Sequence, residues 1–162
     1  MKTLQIKNPG EIEPRERAQN FLDQAEEDLL FATICIRKKH RIYNPITQIN
    51  YLLHQSIEKW LKTMLQIGPG KPWGHDVGDL LESCIQKYSE LSKVEQVLKM
   101  DEEPSKSEYP LLKRDYPSNL RYREGDAYNS YNLEDQFCIL LEAAFLTRRL
   151  VKRWLINNEE VT

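Results

Sequence analysis

The stretch His54-Gln55-Ser56-Ile57-Glu58-Lys59-Trp60-Leu61-Lys62-Thr63-Met64-Leu65, with His75-Asp76-Val77-Gly78-Asp79-Leu80-Leu81 ten residues further on, decides the fold. Leu53, Ile57, Trp60, Leu61 and Met64 recur every three or four residues, the spacing that gathers side chains on one side of an α-helix. Continued upstream through Ile46 and Ile49, this arc predicts a helix from about Pro45 to Ile67. Gln55, Glu58, Lys59, Lys62 and Gln66 fall on the opposite arc, expected to face water or a partner. The segment Gly68-Pro69-Gly70-Lys71-Pro72-Trp73-Gly74 cannot continue a helix, because it sets prolines among flexible glycines. Asp76 and Asp79 then give an acidic first turn, suited to the positive end of a further short helix through Leu80, Leu81, Cys84, Ile85 and Tyr88.

Upstream, Pro14 stands where a first helical turn tolerates proline. Behind it Ala18, Phe21, Leu22, Ala25, Leu29, Ala32 and Ile36 repeat at helical spacing, predicting a long first helix over 14–41. Arg37-Lys38-Lys39-His40-Arg41 and then Asn44-Pro45 mark its end, since proline forces the preceding residue out of helical geometry. Downstream, Leu91–Met100 adds a short helix, and 101–119, with its prolines and charges, is the longest irregular connection. The last helix, about Leu133–Asn157, repeats Leu133, Phe137, Leu140, Ala144, Val151 and Leu155. Ile139, Phe145 and Leu146 lie outside that stripe, so this helix should be buried on two sides, at the bundle centre, at a subunit interface, or both. No strand alternation or solenoid-length repeat is visible. The expected fold is all-α: an antiparallel up-and-down bundle of four long helices plus a short extra one over 14–157, with a flexible arm at 1–13 and a tail at 158–162.

A length of 162 residues fits one domain, and 40% hydrophobic residues suffice for a core. With 23 basic and 25 acidic side chains the formal net charge is −2, so no long-range positive field draws the whole molecule to nucleic acid. Any such contact must come from a local patch. Cys35, Cys84 and Cys138 are odd in number, widely spaced and set in apolar helical patterns, which reads as reduced core thiols. Met1–Arg17 holds no apolar run of the kind a secretory leader needs, and no segment approaches membrane-spanning length, so a cytoplasmic protein without membrane contact is expected.

His40, His54 and His75 have no companion at a metal-ligand spacing, and no phosphate-cradling glycine loop, nucleophile elbow or Cys–His pair occurs. No cofactor or metal is expected. His54, at the border of the apolar arc, reads first as a hydrogen-bonded structural histidine. Of two basic clusters, 37–41 and Arg148-Arg149 with Lys152-Arg153, the simpler explanation is favourable placement at helix C-termini, against a role in phosphate contact. Arg148 lies near the apolar stripe and needs a partner, across the bundle or across a subunit interface. Tyr116-Pro117-Ser118-Asn119-Leu120-Arg121-Tyr122-Arg123-Glu124-Gly125 sets two arginines among tyrosines. Such groups grip phosphates and stack on bases, or else pack down on the bundle and pair with neighbouring acids.

The His54-Gln55-x-x-Glu58-Lys59-x-x-Lys62 helix, the Pro72–Leu81 loop with its His-Asp helix start, the Arg121-Tyr122 segment and a closing helix with alanines at 143 and 144 together resemble the HEPN domains, the nucleotide-binding helical bundles of higher eukaryotes and prokaryotes. The resemblance covers about Arg17 to Leu155. It implies a bundle of four to five helices, usually a homodimer, often encoded beside a minimal nucleotidyltransferase partner in toxin–antitoxin pairs. Some HEPN members are metal-independent ribonucleases with an arginine followed four to six residues later by histidine. Here the positions at that spacing from Arg121 or Arg123, Asp126, Ala127, Tyr128 and Asn129 among them, hold no histidine, and none follows His75. Without that imidazole no group is suited to exchange a proton with an attacking 2′-hydroxyl. The resemblance therefore implies a non-catalytic member that binds a nucleotide or RNA phosphate through Arg121, Arg123, Lys59, Lys62 and Tyr128, with His54, Glu58 and His75 as polar support. A ribonuclease toxin and a purely structural interaction bundle are the alternatives.

Overall fold

A computed structural model describes residues 13–38, 45–68, 74–100, 110–113 and 133–158. Five α-helices occur among them, and no strand: α1 Pro14–Arg37, α2 Pro45–Ile67, α3 Val77–Ile85, α4 Ser92–Leu98 and α5 Leu133–Asn158. Single 3-10 turns lie at Ser89–Leu91 and Pro110–Leu112. The all-α expectation holds, with three long helices and two short ones. The segments 1–12 and 159–162, expected as arm and tail, lie outside the described residues, as does most of 101–119.

α1 opens on Pro14 with Glu16 in its first turn and ends at Arg37, short of the expected residue 41, because Lys38 leaves helical geometry at φ −108°. α3 is capped by Asp76, whose carboxylate accepts from the Asp79 amide at 3.1 Å, one of the donors that a helix start leaves without an intrahelical partner.

The chain direction of each helix follows from side-chain contacts. Going up α2, Lys59 meets Asp28 and Thr63 meets the carbonyl of Ala18, so α1 and α2 are antiparallel. Asn50 donates to the carbonyl of Leu133 at 3.0 Å and Trp60 lies under the Lys152 ammonium, so α5 runs parallel to α2. α1 and α5 are therefore antiparallel neighbours, joined where Arg148 and Lys152 grip Glu26.

The central helix is α2. Ile49, Leu53, Ile57, Trp60, Leu61, Met64 and Leu65 are all buried, and so are Asn50, His54, Ser56, Glu58, Lys62 and Thr63 from its polar positions. The polar arc of α2, expected to face water or a partner, is turned into the bundle at Glu58 and Lys62, which retain only 3% and 7% of their exposure. α5 instead buries one side, lined by Leu140, Ala143, Ala144, Thr147, Leu150 and Val151, and leaves Phe145 outside. Ala25 and Ala32 on α1, like Ala143 and Ala144 on α5, are fully buried, since only a methyl group fits where these helices pack on the core. The end of α2 needs glycine at 68, because an added Cβ would lie 2.7 Å from the Tyr88 hydroxyl. Tyr88 in turn meets Trp154 edge to face at 5.0 Å, fixing the C-terminal half of α5 over the α3–α4 turn.

The close approach at α5 sets an expected outcome. Ala144→Leu forces extra volume into a filled interior and lowers stability by about 1–3 kcal/mol in urea unfolding, whereas Glu142→Leu at an exposed α5 position changes it little.

Candidate functional site

Glu58 sits in the middle of α2, and burying its carboxylate is tolerable only if its oxygens are satisfied. Three donors meet it. Lys62, one turn along the same helix, donates to Oε1 at 2.7 Å, His75 Nδ1 donates to the same oxygen at 2.9 Å, and Gln55 Nε2 donates to Oε2 at 3.2 Å. The Lys62 ammonium also lies 5.9 Å from the centre of the Phe21 ring on α1. His75 precedes the α3 cap, so this one carboxylate ties the start of α3 to the middle of α2, 17 residues back in the sequence.

The imidazole of His75 is held by one nitrogen and remains 66% exposed. With Nδ1–H donated to Glu58, the Nε2 lone pair is left as the outward group, a fixed tautomer that can accept a proton or a hydrogen bond. His54 has the opposite environment. It is fully buried, and its Nε2 lies 3.1 Å from the carbonyl of Leu111, to which an Nε2–H donates, anchoring the Pro110–Leu112 turn to α2. Burial pushes its titration down to about 4, against the smaller opposing effects of Glu58, the Leu111 carbonyl and Asp76. His54 is thus a neutral structural group at pH 7.

Lys59 donates to Asp28 at 2.6 Å, both half-buried between α1 and α2. Burial raises the Asp28 carboxyl above its usual range despite the Lys59 ammonium. A phosphate reaching Lys59 or Lys62 would have to displace Asp28 or Glu58. The structure therefore brings Glu58, Lys62 and His75 together, with Lys59 and His54 nearby on α2. Arg121, Arg123 and Tyr128 lie outside the described residues. The Glu58–Lys62 half of the cluster was legible as a helical i, i+4 pair; the His75 contact spans 17 residues and leaves no periodic signal.

The thiols are not all core groups. Cys84 is buried, its titration pushed up to about 12, and its Sγ contacts the Leu61 carbonyl at 3.6 Å, which leaves it an inert packing group. Cys35 is half-buried. Cys138 is exposed, because it falls on the outward side of α5, correcting the expectation of three buried thiols. Arg148 finds its partner inside the chain, with Nε donating to both Glu26 oxygens at 2.9 and 3.0 Å and Lys152 reaching the same carboxylate at 2.7 Å. Burial raises the Glu26 carboxyl, but the two cations outweigh it and the net shift is downward. Arg153 pairs with Glu90.

The HEPN domain family model matches residues 15–138, more than half of the chain. This chain belongs to the HEPN domain family. No curated protein and no solved structure gives a match. The match spans α1 to α4 and the first turns of α5, so it takes in the Glu58 cluster of this HEPN chain and the stretch of sequence that carries Arg121 and Arg123. No helix among the described residues is long and apolar enough to cross a membrane.

Two outcomes follow for the HEPN bundle. An imidazole that titrates near 4 when folded and near 6.5 when unfolded takes up a proton on unfolding, so its contribution to stability is complete above pH 6.5 and is lost as pH falls toward 4. The loss at pH 4 is about 3 kcal/mol. His54→Gln, which retains a donor for Leu111, flattens this part of the urea-midpoint profile, and the difference between the two proteins removes the opposite contribution of Asp28. Second, Glu58→Ala strands the buried Lys62 ammonium and costs about 3–5 kcal/mol, while Glu58→Leu with Lys62→Met recovers most of that loss. Both are read from equilibrium unfolding.

Proposed function

We propose that this HEPN chain is a non-catalytic binding module of the cytoplasm, which grips the phosphate of a nucleotide or RNA and assembles with a second copy or with a minimal nucleotidyltransferase, as in a toxin–antitoxin pair. The observation that carries the reading is the Glu58 cluster. In a chain of this family it holds one imidazole at the surface with a fixed outward nitrogen, while the neighbouring Lys59 and Lys62 are neutralised within the bundle. The phosphate contacts are therefore assigned first to Arg121 and Arg123, with Tyr128 as a hydroxyl donor and His75 as the polar neighbour. Lys59 and Lys62 act behind them, by setting the position of Asp28 and Glu58. Neither His54, neutral and fully buried, nor any residue after His75 supplies the histidine of the spaced arginine–histidine ribonuclease pattern.

The test is fluorescence anisotropy with a labelled single-stranded RNA at several salt concentrations. Arg121→Ala and Arg123→Ala each weaken binding by about 10-fold or more, the loss expected for a charge-assisted hydrogen bond. Each also reduces the slope of log affinity against log salt by about 0.7. Unchanged affinity in both variants removes the phosphate-binding reading and leaves a structural interaction bundle.

A second reading, the metal-independent ribonuclease, is favoured by one observation: a carboxylate-held imidazole with its other nitrogen outward is also the arrangement of a general base. Incubation of end-labelled RNA with the protein in chelator separates the two. The binding module leaves the RNA intact, whereas cleavage to 2′,3′-cyclic phosphate ends that is lost in both His75→Asn and Arg123→Ala establishes the ribonuclease.

A further inference from the structure

The outer surface of α1 and α5 divides into matching halves. On α1, Asp23, Glu27, Leu30, Phe31 and Ile34 recur at helical spacing on the side away from the core. Leu30, Phe31 and Ile34 are 59%, 54% and 36% exposed, while Asp23 and Glu27 form an acidic stretch one to two turns earlier. On α5 the outward side carries Cys138, Phe145, Arg149, Arg153 and Ile156, with Phe145 48% and Ile156 66% exposed. An open groove of about 910 Å³ runs along this side, lined by Phe145, Arg149, Lys152, Arg153 and Ile156 together with Lys93 of α4.

The contact of Glu26 with Arg148 and Lys152 fixes how the two surfaces align. Because α1 and α5 are antiparallel there, the acidic half of α1 lies beside the basic half of α5. Leu30 and Ile34 then lie at the height of Phe145. One end of the face is apolar at Leu30, Phe31 and Ile34 of α1 and at Phe145 of α5, with Glu142 beside it; the other is acidic on α1 and basic on α5, with Ile156 at its far end. Single exposed apolar residues are ordinary on a protein surface, but several gathered across two adjacent helices mark a contact surface.

We propose that this face is the surface on which a second copy of the chain docks, with a two-fold axis parallel to the helices and midway between α1 and α5. This rests on the reading above that the module assembles with itself, and it names the surface and the pairing. Such an axis sets α1 of one protomer against α5 of its partner at the same height. Leu30, Phe31 and Ile34 then cover Phe145 of the other protomer, and Asp23 and Glu27 meet Arg149 of the other protomer and its Arg153, which shares its charge with Glu90 of its own chain. A two-fold contact repeats each of these pairs twice, so a self-complementary face needs only one acidic and one basic helix. Charge complementarity selects the second copy over an unrelated partner: the chain carries both halves of the match, at matching heights. Glu26, Arg148 and Lys152 lie beneath the contact, already paired within each protomer.

The test is sedimentation equilibrium on the full chain, with circular dichroism to establish that each variant stays folded. All the substituted positions are exposed. The native chain is expected to be a dimer, and Phe145→Asp raises its dissociation constant by about 30-fold or more. Glu27→Lys and Arg149→Glu each weaken it alone, more so at low salt, and the two together in one chain restore it, because the exchanged charges meet again across the axis. A native chain that is monomeric at every concentration overturns the proposal, as does a dimer indifferent to Phe145→Asp and Glu27→Lys, which uses another face. Weakening by both single reversals without restoration in the double variant overturns the acid-on-base pairing. RNA anisotropy on the same samples keeps the readings apart: a monomer that still binds RNA sinks this face and leaves the phosphate reading standing.

Discussion

A carboxylate inside the bundle is the constraint around which the rest is arranged. Glu58 lies on the helix that every other long element packs against, and a buried charge is tolerated only when its partners reach it with good geometry. Lys62 comes without folding cost in sequence distance, from the next turn of α2. His75 does not: it lies 17 residues further on, with Asp76 immediately behind it capping α3. Register of α3 on α2 and orientation of the one exposed described histidine are thus coupled to a single side chain. The buried Leu80, Leu81 and Cys84 then complete the contact with apolar surface, which supplies most of the stabilisation once the polar pairing has set the alignment.

The same logic separates the cations of this HEPN chain into two populations. Those on α2 are absorbed by Asp28 and Glu58, so they order the interior and contribute little to the outer field. Those on α5 are outside or at the edge: Arg148 and Lys152 share Glu26, Arg153 takes Glu90, and Arg149 has no ion partner among the described residues. A protein with formal charge −2 therefore presents a local basic surface without any long-range attraction for polyanions. Binding of a phosphate by such a molecule depends on fitted contacts, the role proposed for Arg121 and Arg123, more than on steering.

Much of the architecture could be read from the chain because its signals are local. Pro14 and Pro45 open helices where proline belongs, Asp76 caps where an aspartate with an acid three residues on should, and the apolar spacing of α1 and α2 survives in the buried set. What the sequence left open was which helix is central. The polar residues of α2 read as a stripe facing water or a partner, since periodicity registers that a position is charged and not whether a distant residue such as His75 will satisfy it. The two-sided apolar pattern of α5 was read as burial at the bundle centre, at a subunit interface or both; within the chain one side is buried, and Phe145 on the other is exposed. Cys138 was misjudged for the same reason. At the candidate site, His54, Glu58, Lys59, Lys62 and His75 were singled out from the sequence, but their division into interior pairs and one outward imidazole needed the fold.

The central claim, that Glu58 holds His75 by Nδ1 and turns Nε2 outward, is tested most directly by long-range ¹H–¹⁵N correlation of the histidine rings at a pH where His75 is neutral. The account predicts a His75 spectrum dominated by the Nδ1–H tautomer, reverting toward the free-imidazole pattern in Glu58→Gln. A native His75 that is mainly the Nε2–H tautomer, with Nδ1 unprotonated, would contradict it, because Glu58 would then have no proton to accept from that ring.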